Sequence, residues 1–201
     1  MSGPDAFPPG GVRALLNTAH VTEPTRRALQ AKLDRRPTQP RFFALHAFAT
    51  LAAICDRLIP QFPRAVDIAG GLDERLADNK RDGWRYDVMP PDQEAYRRGL
   101  AGVDETARAL FGSDFIGLVE SRQEAVLQAL SGGEPPGGTW TAMPAAYWFE
   151  ELLVEVSEIY FAHPLSQQAM GYLGMADAEG WTATGLDEEE PSMPANDHVT
   201  A

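Results

Sequence analysis

Three glutamates at helical spacing are the clearest candidates for chemistry in this 201-residue sequence. Glu151, Glu155 and Glu158 stand at positions i, i+4 and i+7, so a helix would place their carboxylates on one face. Such carboxylates bind two metal ions in helical di-iron bundles, but those sites also need a Glu-x-x-His pair, which the sequence lacks. We therefore favour a solvated acidic face, or one that docks against a basic surface, over a metal site.

The histidines and the cysteine do not form a ligand set or a catalytic group in the sequence. His20, His46, His163 and His198 stand apart, and none has a second histidine or a carboxylate at the spacing of ligands on one element. We interpret each as a surface or boundary residue. Cys55, the single cysteine, falls on the apolar stripe of a helix, so we predict a buried and inert thiol and no internal disulfide.

The common catalytic and cofactor-binding motifs do not occur in this sequence. It contains no G-x-G-x-x-G, no Walker loop and no G-x-S-x-G. A cysteine-based zinc site is excluded because one cysteine is too few. We therefore predict no catalytic residue, no metal site and no cofactor site in this chain.

Aromatic residues collect near the carboxyl end, in a segment without lysine or arginine. Tyr147, Trp148 and Phe149 are consecutive, so their side chains span about 200° of a helix. Such a helix is either buried on most sides or offers aromatic anchors to a partner, and the sequence leaves both open. The residues that we predict to contact a partner are Tyr147, Trp148, Glu151, Glu155, Tyr160, Phe161, Met170, Tyr172 and Trp181.

The elements that must position these residues are all predicted to be helices. Apolar residues recur at helical spacing, and no alternating run indicates a strand. Pro24 suits a first helical turn, whereas Pro60 and Gly112 mark helix ends. The predicted helices cover about 23–35, 44–59, 66–79, 92–111, 122–130, 143–162 and 165–175. The sequence thus predicts an all-α protein, a single compact domain of about six to seven helices.

Charge and composition divide the sequence into three parts. We predict a flexible lead-in over residues 1–21, a helical domain over 22–179 and an acidic, mobile tail over 180–201. The net charge is −12, and residues 143–201 contribute eleven acidic residues with no lysine or arginine. This balance argues against binding to nucleic acid. No apolar run is long enough to predict a membrane span.

Several stretches of the sequence, in order, resemble the gluconate 2-dehydrogenase subunit 3 family. The Phe42-Phe43 pair and residues 48–60, which end in Asp56-Arg57-Leu58-Ile59-Pro60, are similar to its opening motif. Similar central and closing parts follow in residues 96–112, in Phe115, Leu118, Gln123 and Leu127, in residues 149–164, and in Met170-Gly171-Tyr172-Leu173-Gly174. The resemblance spans about residues 42–175.

The resemblance implies a small, cofactor-free helical subunit of a flavin-dependent dehydrogenase that oxidises a sugar, a polyol or a sugar acid. A large subunit of the glucose-methanol-choline type would carry FAD and the catalytic residues. The small subunit would bind that partner, stabilise it and assist its maturation, in some complexes beside an electron-transfer subunit. The lack of a catalytic motif agrees with this role, since the flavin supplies the chemistry.

Two features depart from the family pattern. Many members carry a twin-arginine export signal, but neither Arg26-Arg27 nor Arg35-Arg36 is followed by an apolar region. We therefore expect a cytoplasmic location, and a periplasmic one only if the chain is exported with a partner. Where members commonly have Gly-Gly-Asn, this chain has Leu165-Ser166-Gln167-Gln168, which would alter a contact made there.

Two other functions stay open on the sequence. A helical adaptor or regulator unrelated to redox chemistry would bind a partner without flavin. A stand-alone enzyme would need Asp56, Glu151, Glu155 or His163 to converge on one site, and the purified chain would then show turnover.

Overall fold

A computed structural model describes residues 11–18, 21–35, 39–80 and 85–172 of the chain. Their α-helices are α1 (Gly11–Leu15), α2 (Glu23–Leu33), α3 (Leu45–Leu58), α4 (Ile68–Ala77), α5 (Asp92–Phe111), α6 (Glu120–Ser131), α7 (Thr139–Ala142), α8 (Ala145–Phe161) and α9 (Pro164–Ala169). A 3₁₀ turn at Phe115–Gly117 precedes α6. No strand occurs within these ranges, and the predicted all-α fold is confirmed.

The longer helices lie where the apolar periodicity predicts them, and two short ones were missed. Helices α2 to α6, α8 and α9 correspond to the seven predicted helices. Helix α1 lies within the predicted lead-in of residues 1–21, and α7 borders the predicted Gly/Pro loop before α8. Neither exceeds five residues, which is too short for a periodic pattern. Helix α9 ends at Ala169 rather than near 175, and Gly171 follows in the left-handed region at φ 75°.

The chain forms two compact units. Unit 1 consists of the chain ends, Met1–Arg36 and Phe161–Ala201, and its described helices are α1, α2 and α9. Unit 2 is Pro37–Tyr160 and holds α3 to α7 with nearly all of α8. The predicted domain limits at residues 22 and 179 stay predictions. Trp181 and the predicted tail of residues 180–201 lie outside the described residues.

Two glycines of α5 determine how the tryptophans pack in unit 2. Gly99 and Gly102 lie one turn apart, and the indole rings of Trp148 and Trp140 pack directly on them. A Cβ atom at Gly102 would lie 2.6 Å from the Trp140 ring, and one at Gly99 would overlap the Trp148 indole. Because Trp148 is held on α5 in this way, the opposite side of α8 must face outward.

A buried carboxylate holds the aromatic pair at the start of unit 2. Asp73 is 3% exposed and accepts backbone N–H groups from Arg41, Phe42 and Phe43 at 2.6, 3.1 and 2.9 Å. The Arg97 guanidinium lies 4.0 Å from the centre of the Phe42 ring. The Phe42-Phe43 pair is therefore a fixed part of the fold.

Unit 1 has a small apolar core and several side-chain caps at helix ends. Val12, Leu16, Val21 and Leu33 form the core, with Leu165 of α9 packed against it. The Gln168 Oε1 atom accepts the backbone N–H of Val12 at 2.8 Å, and Lys32 Nζ donates to the carbonyl of Ala162 at 2.9 Å. In this chain, Leu165 and Gln168 therefore contact the amino-terminal helices of the same unit.

Candidate interaction surface on helix α8

The buried side of α8 fixes the orientation of all its other residues. Ala145, Trp148, Leu152 and Val156 follow the spacing of a helical stripe and are each at most 1% exposed. Tyr147 and Phe149, the neighbours of Trp148, consequently point to other sides of the helix. The three consecutive aromatic residues thus diverge, as their spacing predicts.

We define the α8 outer face as Tyr147, Glu150, Leu153 and Val154. Tyr147, Glu150 and Val154 follow one another at i, i+3 and i+7, and Leu153 lies beside them. Tyr147, Leu153 and Val154 are 39%, 41% and 52% exposed. Single exposed apolar residues are common on protein surfaces, whereas a group on one helix face is typical of a surface that a partner covers.

A second aromatic ring holds this face in place before any partner binds. The rings of Tyr86 and Tyr147 stack with centroids 4.0 Å apart and planes 13° from parallel. The Tyr86 hydroxyl donates a hydrogen bond to Glu150 Oε2 at 2.9 Å, and this bond raises the pKa of Tyr86 above its ordinary value. Since Tyr147 and Glu150 are already restrained, less side-chain entropy is lost when a partner covers them.

The predicted acidic face of α8 is only partly solvated. Arg75 of α4 pairs with Glu155 and lies 3.4 Å from Glu158, and both Arg75 and Glu155 are largely buried. The interpretation as a solvated acidic face therefore does not hold for Glu155, whose partner Arg75 is 80 residues away in the sequence. Glu151 is half-buried on the adjacent turn.

The remaining predicted contact residues belong to both units. Trp148 lies in the core, and the α8 outer face does not include it. Tyr160 is half-buried against the core of unit 2. Phe161, Met170 and Tyr172 are exposed and belong to unit 1.

The polar pair of His46 and Asp104 was not predicted from the sequence. The His46 Nε2 atom lies 2.7 Å from Oδ2 of Asp104, a buried residue of α5 whose Oδ1 accepts the backbone N–H of Phe115 at 2.9 Å. Asp114 is a second carboxylate 4.0 Å from the same ring nitrogen. No local spacing could reveal a pair 58 residues apart. The contact joins the start of α3 to α5 and the 3₁₀ turn, which is a structural role.

Cys55 is buried, as its place on the apolar stripe of α3 predicts. Burial raises the pKa of its thiol to about 12, so the thiol is protonated at neutral pH and is a poor nucleophile. Within the part of the chain that the structure describes, no three His, Cys, Asp or Glu side chains could jointly hold a metal ion. None of the helices described there has the length and apolar character needed to cross a bilayer.

Within the described residues, unit 2 is helical, and its helix α8 carries an outward face that is aromatic, aliphatic and acidic. The chain belongs to the gluconate 2-dehydrogenase subunit 3 family, since the family model Gluconate 2-dehydrogenase subunit 3 matches residues 45–176, more than half of its length. The match confirms the resemblance and begins at the first residue of α3. A subunit family implies a complex with other dehydrogenase subunits. No curated protein and no solved structure matches the chain.

Proposed function

We propose that this chain is a non-catalytic subunit that binds and stabilises the catalytic subunit of an FAD-dependent sugar, polyol or sugar-acid dehydrogenase and assists its maturation. The family match over α3 to α9 is the observation that carries the proposal. Two polar side chains that could do chemistry, those of His46 and Glu155, have structural partners in Asp104 and Arg75. In this proposal, the reaction chemistry belongs to the partner.

The partner in this proposal is a large subunit of the glucose-methanol-choline type that carries FAD, in some complexes together with an electron-transfer subunit. Bound FAD supplies the oxidising chemistry, and the catalytic subunit positions the substrate. This chain stabilises the large subunit by covering apolar surface that would otherwise face water, at about 25 cal/mol per Å² of apolar area before the costs of association. We place the complex in the cytoplasm, which fractionation of cells that express both chains would test.

The proposal is tested by expressing the catalytic subunit with and without this chain. We expect the yield of FAD-loaded, active enzyme to fall when this chain is omitted, because folding intermediates of a large subunit expose apolar surface. The large subunit that does bind FAD should keep the same activity per bound FAD. Equal yield and equal activity in its absence would contradict the proposal, and turnover by the isolated chain would favour a stand-alone enzyme.

A further inference from the structure

Glu150 is the charged residue at the centre of the α8 outer face. It lies one turn from Tyr147 and one turn from Val154, so apolar side chains flank its carboxylate on both sides along the helix. Glu155 and Glu158 share the Arg75 guanidinium, whereas the hydrogen-bond partner of Glu150 is the neutral hydroxyl of Tyr86. No ion pair joins Glu150 to a cation among the described residues of unit 2, 39–80 and 85–160.

The cation that balances Glu150 in an interface cannot come from α8. Neither α8 nor any residue from 143 onward is lysine or arginine. Covering Tyr147, Leu153 and Val154 with a wholly apolar partner would bury the carboxylate between them, and an unpaired buried charge is strongly unfavourable. Since no described cation of unit 2 pairs with Glu150, we expect a partner that covers the α8 outer face to supply the positive charge.

Arginine suits this position better than lysine. Its planar guanidinium can donate two hydrogen bonds to one carboxylate and can also stack on an aromatic ring, and Tyr147 lies one turn from Glu150. We propose that the α8 outer face docks an apolar segment of the catalytic subunit that carries one arginine, which pairs with Glu150 between Tyr147 and Val154. The identity of that partner rests on the proposed function; the chemistry of the contact rests on the α8 outer face.

The size of the face limits its role to one part of a larger interface. Tyr147 and Val154 are seven residues apart, which is about 10 Å along the helix axis. A stable interface buries about 800 Å² on each partner, far more than four side chains can offer. The α8 outer face is thus a local binding hot spot, where a few anchors contribute most of the affinity.

The test titrates the purified full chain onto the purified catalytic subunit and measures Kd at several salt concentrations. Glu150→Gln keeps an acceptor for the Tyr86 hydroxyl but removes the charge, so we expect Kd to rise about tenfold or more and its salt dependence to weaken. Val154→Asp should weaken binding at least as much. Thermal unfolding of each variant verifies that the fold is intact.

Two matched variants control for general effects of charge and exposure. Glu124→Gln removes an exposed carboxylate of α6, and Val119→Asp changes a valine that is 64% exposed elsewhere on unit 2. Both should leave Kd within about twofold of the unchanged chain. If the unchanged chain binds the flavoprotein and Glu150→Gln binds equally well, this inference is overturned and the proposed function stands. If the unchanged chain binds no flavoprotein, the proposed function itself fails.

Discussion

Each of the two compact units of this chain is stabilised internally by a different kind of interaction. Unit 2 has a continuous apolar core that runs through α3, α4, α5, α6 and α8. Among the described residues of unit 1, four buried apolar residues are supplemented by side chains that bind backbone groups at helix ends, such as Gln168 and Lys32. The comparison indicates that packing dominates the stability of unit 2, whereas single hydrogen bonds count for more in unit 1.

The largest loss is expected from Trp148→Ala. This substitution removes the indole from its position on Gly99 and leaves a cavity, so unit 2 should lose about 3–5 kcal/mol of unfolding free energy. Tyr147→Ala, at the next position, removes a half-exposed ring from a stack and should cost about 1 kcal/mol. Urea unfolding followed by circular dichroism measures both. Equal losses would contradict the burial difference between these neighbours.

Asp73→Ala should have the second largest effect. It leaves the backbone N–H groups of Arg41, Phe42 and Phe43 without their acceptor. One of these hydrogen bonds is buried and two are partly buried, and their loss should cost about 3 kcal/mol in total. The same urea titration measures it. Asp73→Asn keeps one acceptor oxygen, so its loss of unfolding free energy should lie between zero and the loss in Asp73→Ala. If Asp73→Ala loses no unfolding free energy, water has replaced the carboxylate as the acceptor.

Gly99→Ala tests the close packing between α5 and Trp148. The added methyl group would overlap the indole, and the resulting strain should cost about 2 kcal/mol despite the better helix propensity of alanine. Gly132→Ala is the matched control, because Gly132 has ordinary helical dihedrals and its nearest neighbour would lie 3.4 Å away. We expect the control to be close to neutral in thermal unfolding.

In unit 1, Gln168→Ala should cost about 1 kcal/mol. The change removes the acceptor for the Val12 N–H at the start of α1, and one such hydrogen bond has about this net value. Hydrogen exchange should quicken at Val12 and stay unchanged in α5. Gln167→Ala, on the same helix, is the control, and an equal effect from both variants would show that the hydrogen bond does not matter.

The smallest expected effect is a pH dependence of unit 1 through His163. Its Nδ1 atom accepts the Leu165 N–H at 3.2 Å, and burial lowers the pKa of His163 below 6.5. The unfolded chain therefore binds the proton first, so the stabilisation is complete above about pH 6.5 and is lost as the pH falls through the lower folded pKa. Hydrogen exchange at Leu165, corrected for its intrinsic rate, should reveal this loss.

His163→Asn provides the control for that experiment. Asparagine also caps a helix start but does not titrate in this range. The variant should keep the α9 cap at neutral pH and lose the pH response. An unchanged pH response in His163→Asn would assign the titration to another group.

The helices could be predicted from the sequence because apolar periodicity is a local signal. It located α3, α5 and α8, and it identified Cys55 as a core residue. The composition of the candidate surface was also visible, since aromatic and acidic residues collect in the segment that became α8.

The close packing of the buried aromatic residue was not available from the sequence. Trp148 shares an apolar stripe with Leu152 and Val156, but the approach of its indole to Gly99 depends on how α8 packs on another helix. Long-range polar pairs, such as His46 with Asp104, were hidden for the same reason. They depend on which helices pack together, a property that residue spacing within one element does not contain.

The proposed function is tested most directly by purifying this chain through an affinity tag from cells that also express its natural partners. We expect a large chain to co-purify with FAD in a fixed ratio to this chain, and dehydrogenase activity towards a sugar, polyol or sugar acid to follow it through gel filtration. Recovery of this chain alone, or with a partner that carries no flavin, would contradict the proposed function.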